Sequence, residues 1–170
     1  MNQLDLTALS PDGCTEMLFE RTLDLTHLRR FGEVLFPQAV AVRGKACLEL
    51  SGMIWLEYTA TAQAHMCCAR CLEPVTQDCV LEFRHLVLRE QPADTGEEDG
   101  NWLLAPGGTL DLADAAGTDL VLAQEGTPLC REDCAGLCPK CGVNRNTSGC
   151  GCVLQEPDPR FAALRKLMRD

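Results

Sequence analysis

The sequence predicts an α+β protein, mainly β, in which an antiparallel sheet curls or closes into a small barrel, with two short helices and a C-terminal Cys-rich zinc module. Three observations predict it. The first half alternates apolar and polar residues with the period of strands, two later segments carry helix-start signals, and six of the twelve cysteines fall between Cys130 and Cys152. The chain has 170 residues, of which 46% are hydrophobic and 5% aromatic, enough for one ordinary core. That apolar content, with no short repeat, excludes collagen-like, coiled-coil and wholly disordered chains.

The strands come first. Ile54, Leu56, Tyr58, Ala60, Ala62, Ala64 and Met66 alternate with Glu57, Thr59, Thr61, Gln63 and His65, as a half-buried strand requires. Val75, Cys79, Leu81 and Phe83 face away from Thr76, Asp78 and Glu82 in a second strand, and residues 67–74 form a compact connection between the two. Ala39 to Leu50 and Leu18 to Leu25 supply further strands, punctuated by Gly44 and by Ser51-Gly52. Four strands in succession favour an antiparallel sheet.

Acid is concentrated after the strands. The formal charge of -10 divides into -3 for residues 1–89, -9 for residues 90–125 and +2 for residues 126–170. Gln91 to Gly100, with Glu97, Glu98 and Asp99, reads as a solvated loop. Thr109 is the expected cap of a helix running to about Glu125, with Asp111 and Asp114 near its positive end and Leu112, Ala116, Leu120 and Ala123 as its apolar stripe. Gly126 and Pro128 stop it. Asp158-Pro159 starts a second helix whose Phe161, Leu164, Leu167 and Met168 oppose Arg165, Lys166 and Arg169. One integrated domain is expected, organised as a strand-rich region 1–89, an acidic loop and helix 90–126, and a zinc-binding tail 127–170.

The chemistry lies in the cysteines. Cys138-Pro139-Lys140-Cys141-Gly142 is a turn in which two thiolates point at one metal, and Gly142 supplies the positive φ that it needs. Cys150-Gly151-Cys152 follows, and Cys138, Cys141, Cys150 and Cys152 make a closed four-thiolate site suited to structural Zn²⁺. The loop from Val143 to Gly149 has too little apolar content to stay ordered without such a crosslink. Disulfides belong to secreted frameworks, and the spacing matches neither common ferredoxin pattern.

Cys68-Ala69-Arg70-Cys71 is another such turn. Two arrangements are open. Cys68 and Cys71 meet Cys130 and Cys134 in a second site, giving two zinc ions, or they join part of the C-terminal set in one. Cys67 beside Cys68 leaves the choice of ligand ambiguous. Cys47 and Cys79 read as small core residues, and His27, His65 and His85, lacking ligand spacing, as surface or core. No nucleophile elbow, phosphate-cradling glycine loop or His-Glu-x-x-His is present, so no catalytic residue is assigned.

No apolar run approaches the roughly 20 residues of a membrane span. Met1 to Gly13 has no basic, apolar leader pattern, so the cytoplasm is the expected location.

The order of motifs resembles the bacterial YceD family, the large ribosomal RNA subunit accumulation proteins. It rests on Cys68-x-Arg70-Cys71-Leu72, Asp111-Leu112, Pro128-Leu129-Cys130, the run Asp133-Cys134-x-Gly136-Leu137-Cys138-Pro139-x-Cys141-Gly142-x-Asn144-x-Asn146, Cys150-x-Cys152 and Asp158-Pro159-Arg160. Arg145 stands where the family usually has Leu, and Cys67 is an additional cysteine.

The resemblance implies a cytoplasmic, non-catalytic factor in large-subunit ribosome biogenesis. Its expected partners are a large-subunit ribosomal RNA precursor, a basic large-subunit ribosomal protein, or both, with no membrane and no small-molecule substrate. Glu97, Glu98 and Asp99 are the candidate contacts to a basic protein, and Arg145, Arg165 and Lys166 those to RNA. Two other functions compete: a thiol-disulfide oxidoreductase working through a Cys-x2-Cys pair, and a zinc-ribbon regulator binding a specific nucleic acid. The first lacks a βαβ pattern to present its cysteines. The second lacks base-stacking aromatics after Gly126, where Phe161 stands alone.

Overall fold

A computed structural model describes residues 2–90, 102–124 and 126–152. Its centre is a five-stranded sheet in the order β2 (Glu16–Leu23), β5 (Val40–Leu48), β6 (Ile54–Cys67), β7 (Pro74–Leu88) and β8 (Trp102–Leu104). The first four strands pair antiparallel, while β8 runs parallel to β7. β1 (Gln3–Asp5) pairs with β9 (Thr109–Asp111), and β3 (Arg29–Arg30) pairs with β4 (Glu33–Val34) in a small hairpin. The helix α1 (Leu112–Leu122) follows β9 directly.

The alternation in β6 sets the inner face. Ile54, Leu56, Tyr58, Ala60, Ala62, Ala64 and Met66 are all buried. They join Val40, Val42, Cys79, Val87, the N-terminal Leu4 and Leu6, and Leu112, Ala116 and Leu120 of α1 in one core. Each fully buried leucine here contributes roughly 1.5–3 kcal/mol. Gly117 belongs to this packing, since a Cβ there would approach Leu28 Cδ1 to 3.2 Å.

Several expectations need correction. The sheet is open: among the described residues its edges are β2 and β8, and no pairing between them closes a barrel. The cap of α1 is Asp111, whose side chain accepts hydrogen bonds from the amides of Ala113 and Asp114. Thr109 instead pairs with Asp5, because the strand β9 consumes the residues that precede the helix. The helix ends at Leu122, and Ala123 is exposed. β1, β3, β4, β8 and β9 are two or three residues long, too short to show a period. The expected helix after Asp158 and the loop from Gln91 to Gly100 lie outside the described residues.

The register of β6 against β7 fixes the first cysteine turn. Cys67 opposes Pro74, so the longest strand pair among the described residues ends on Cys68-Ala69-Arg70-Cys71-Leu72-Glu73. A small second core of Cys68, Cys71 and Cys134, with Val75, Leu129 and Leu137 against it, forms there.

Candidate metal centres

The two Cys-x2-Cys turns have the same backbone. The Cys68 amide donates to the Glu73 carbonyl at 2.8 Å and the Leu72 amide to the Cys68 carbonyl at 3.0 Å. In the second turn the Cys138 amide donates to the Val143 carbonyl at 2.8 Å and the Gly142 amide to the Cys138 carbonyl at 2.8 Å. The residue after the second cysteine takes a positive φ in both, 62° at Leu72 and 72° at Gly142. Only glycine does this without steric cost. The Cys-x2-Cys spacing marks both turns in the sequence, but leucine after Cys71 gives no sign of the positive φ it adopts.

These turns bring eight cysteines into two groups. Cys68, Cys71, Cys130 and Cys134 form one, and Cys138, Cys141, Cys150 and Cys152 the other, with the sulfurs of each group within 4.8 Å of one another. The first group spans the β6–β7 turn and the tail. The alternative in which Cys68 and Cys71 share one site with the C-terminal cysteines does not match this geometry. Cys67 is exposed and outside both groups, Cys79 is buried in the core, and Cys47 is half-buried.

The donor sets fit a tetrahedral metal. Zinc–sulfur bonds of about 2.3 Å place sulfurs about 3.8 Å apart at the corners of a tetrahedron. Cys68 Sγ lies 3.7 Å from Cys134 Sγ, and Cys71 Sγ lies 3.6 Å from Cys130 Sγ. A disulfide needs about 2.05 Å. Both groups can therefore hold a metal ion, and four thiolates apiece are consistent with zinc.

Hydrogen bonds favour the thiolate at Cys68 and Cys134 in the first group and at Cys138 in the second. Burial opposes ionisation at Cys68, yet hydrogen bonds from the backbone of Cys130, Arg70 and Cys71 bring its thiol down to about 6. The backbone of Cys141 and Lys140, with the Cys150 side chain, brings Cys138 down to about 6. Opposite them, burial and the neighbouring Cys134, Cys71 and Cys68 push Cys130 up to about 12. Cys141, followed by burial, pushes Cys152 up to about 12. Four sulfurs at this spacing cannot all carry charge unaided, and a dication relieves that conflict.

Residues outside the ligand sets hold the groups in place. Arg70 Nη1 donates to the Cys134 carbonyl at 3.0 Å. Asn144 Nδ2 donates to Glu73 Oε1 at 2.8 Å, and Asn146 Nδ2 donates to Cys134 Sγ at 3.3 Å. Arg145 is exposed, and its amide donates to the Gly136 carbonyl at 2.9 Å. Glu97, Glu98, Asp99, Arg165 and Lys166 lie outside the described residues. His27 is exposed, His65 half-buried and His85 buried against Asp119.

The family model described as large ribosomal RNA subunit accumulation protein YceD matches residues 56–168, more than half of the chain and all eight of these cysteines. The chain belongs to the YceD family. Among curated relatives of this YceD-family chain are uncharacterized proteins of Mycobacterium tuberculosis and Mycobacterium bovis. Each is 36% identical over 107 residues that cover 59% of this chain and 49% of the relative. The chain thus spans about half the length of the curated relatives it matches. No solved structure matches it. The family description ties YceD proteins to ribosomal RNA accumulation, and among the described residues no helix is long and apolar enough to cross a membrane.

Proposed function

We propose that this YceD-family protein is a non-catalytic cytoplasmic factor that supports large-subunit ribosomal RNA accumulation and 50S assembly, with structural Zn²⁺ in both cysteine groups. The observation that carries the reading is the joining of family membership to two four-thiolate sets, one of which ties the end of the main hairpin to the tail. Zinc in such closed sites supplies folding free energy and leaves no open coordination position for a substrate.

Burial weighs against the oxidoreductase alternative at the first Cys-x2-Cys pair. Cys68 and Cys71 are 0% and 4% exposed, whereas in the second pair Cys138 is 3% exposed and Cys141 is exposed. A redox thiol must be reached by its partner disulfide. Partner contacts divide by charge: Glu97, Glu98 and Asp99 in the acidic segment engage a basic ribosomal protein, while Arg145, Arg165 and Lys166 approach RNA precursor.

The test is depletion of the protein from its own cell, followed by the ratio of large- to small-subunit ribosomal RNA and the sedimentation profile of the subunits. A deficit of large-subunit RNA and of 50S particles is expected. An unchanged ratio refutes the proposal. Purification under reducing conditions, with bound metal, RNA and ribosomal protein measured together, identifies the direct partner, and Gln or Ser at Glu97, Glu98 and Asp99 should weaken capture of a basic protein.

A further inference from the structure

Only three residues, Ala135, Gly136 and Leu137, separate the last ligand of one cysteine group from the first ligand of the other. The two groups are also joined by side chains. Residues 142–149 lie between Cys141 and Cys150, so both ends of that segment are anchored in the second group. Its middle, however, turns toward the first. Asn144 Oδ1 accepts from the Asn146 amide at 2.9 Å and shapes a tight turn. From that turn Asn144 Nδ2 reaches Glu73 in the first cysteine turn at 2.8 Å. Asn146 Oδ1 accepts from the Ala135 amide and from Arg131 Nη2, both at 2.8 Å, and Asn146 Nδ2 donates to Cys134 Sγ at 3.3 Å.

We infer that Asn146 couples the two metal centres: filling the Cys138, Cys141, Cys150 and Cys152 group anchors the segment that presents Asn146, and Asn146 then stabilises the Cys134 thiolate of the other group. The inference rests on the zinc reading given above. Its physical basis is that a hydrogen bond to an ionised sulfur favours the ligating form, and outer-shell partners of metal ligands typically carry about 10–100-fold in affinity. The segment contains no apolar residue larger than Val143. With no apolar core of its own, it holds its shape through its anchored ends together with its hydrogen bonds to Ala135, Gly136 and Arg131. Asn146 is a positioning residue, and linkage makes the coupling reciprocal: whatever the second group adds to the first, the first returns.

The experiment uses the full chain at a series of buffered free Zn²⁺ concentrations, with protection of each cysteine from alkylation read by mass spectrometry. Occupancy of each group is thereby resolved separately. Replacing Cys150 and Cys152 by Ser should weaken Zn²⁺ protection of Cys68, Cys71, Cys130 and Cys134 by about 10–100-fold. Asn146→Ala should weaken it comparably with the second group intact, and adding it to the Cys150 and Cys152 replacements should cause no further loss. Asn146→Asp keeps the acceptor for Ala135 and Arg131 but removes the donor to Cys134. It should behave like Asn146→Ala, with the sheet signal in circular dichroism unchanged. Unaltered protection of the first group after loss of Cys150 and Cys152, or losses that multiply in the combined variant, would overturn the coupling while leaving the zinc reading standing. A wild-type chain whose cysteines alkylate equally with and without Zn²⁺ would overturn both.

Discussion

The Leu137 amide donates a 2.9 Å hydrogen bond to the Arg70 carbonyl, joining the tail to the turn between the two longest strands. Gly136 beside it has φ 71°, and a Cβ there would sit 3.0 Å from the same oxygen. Conformation and space both demand glycine. Gly136→Ala should therefore destabilise the metal-loaded protein by about 1–3 kcal/mol, read as a lower thermal midpoint. An unchanged midpoint would show that the two segments separate at little cost.

Metal removal should act locally. The main core is built from β-strands, the N-terminal leucines and α1 and contains none of the eight grouped cysteines, which lie in and around a separate small cluster. Chelation should abolish hydrogen-exchange protection over residues 128–152 while protection in β5, β6 and β7 persists. Collapse of the sheet on chelation would mean that the hairpin depends on its tip.

Metal uptake should depend on pH in a defined direction. Cys71 and Cys130 in one group, and Cys150 and Cys152 in the other, have thiols held above the ordinary range, so binding at neutral pH must expel their protons. Affinity should fall as pH drops from 8 to 6, with proton release visible by calorimetry in buffers of different ionisation enthalpy. A pH-independent affinity contradicts thiolate ligation.

A buried polar cluster ties α1 to the sheet. The Tyr58 hydroxyl donates to Asp119 Oδ2, and His85 Nε2 lies 2.7 Å from the same oxygen. Burial, then the bond to Asp119, raises the Tyr58 pKa well above that of an ordinary phenol. A folded-state pKa above the unfolded one gives stability that is complete below about pH 10 and declines above it, by about 1.4 kcal/mol per pH unit. Tyr58→Phe should cost about 1–3 kcal/mol at neutral pH and flatten the alkaline decline relative to wild type. Parallel alkaline curves for the two proteins would exclude this role.

Legibility in the sequence followed pattern length. β6 and β7 were readable because 14 and 15 residues give alternation room to repeat. The pairings of β8 with β7 and of β1 with β9 were not, since three-residue strands are chosen by tertiary contacts rather than by periodicity. The cysteine groups were visible as spacing alone, whereas the choice between one shared site and two separate ones depended on where the β6–β7 turn meets the tail. Asn144 and Asn146 carried a faint signal as polar residues confined between cysteines. Tyr58, His85 and Asp119 carried none, because they lie on three elements and converge only when α1 covers the sheet.

Cys71 and Cys130 touch across 59 positions, and Cys68 and Cys134 across 66. At synthesis rates of about 5–20 residues per second, the first cysteine pair emerges roughly 3–12 s before its partners exist. During that interval the nascent hairpin displays two thiols, half of the four sulfurs of their group. A translating ribosome therefore exposes a transient dithiol that a metal donor or an oxidant can reach, and the finished protein hides it.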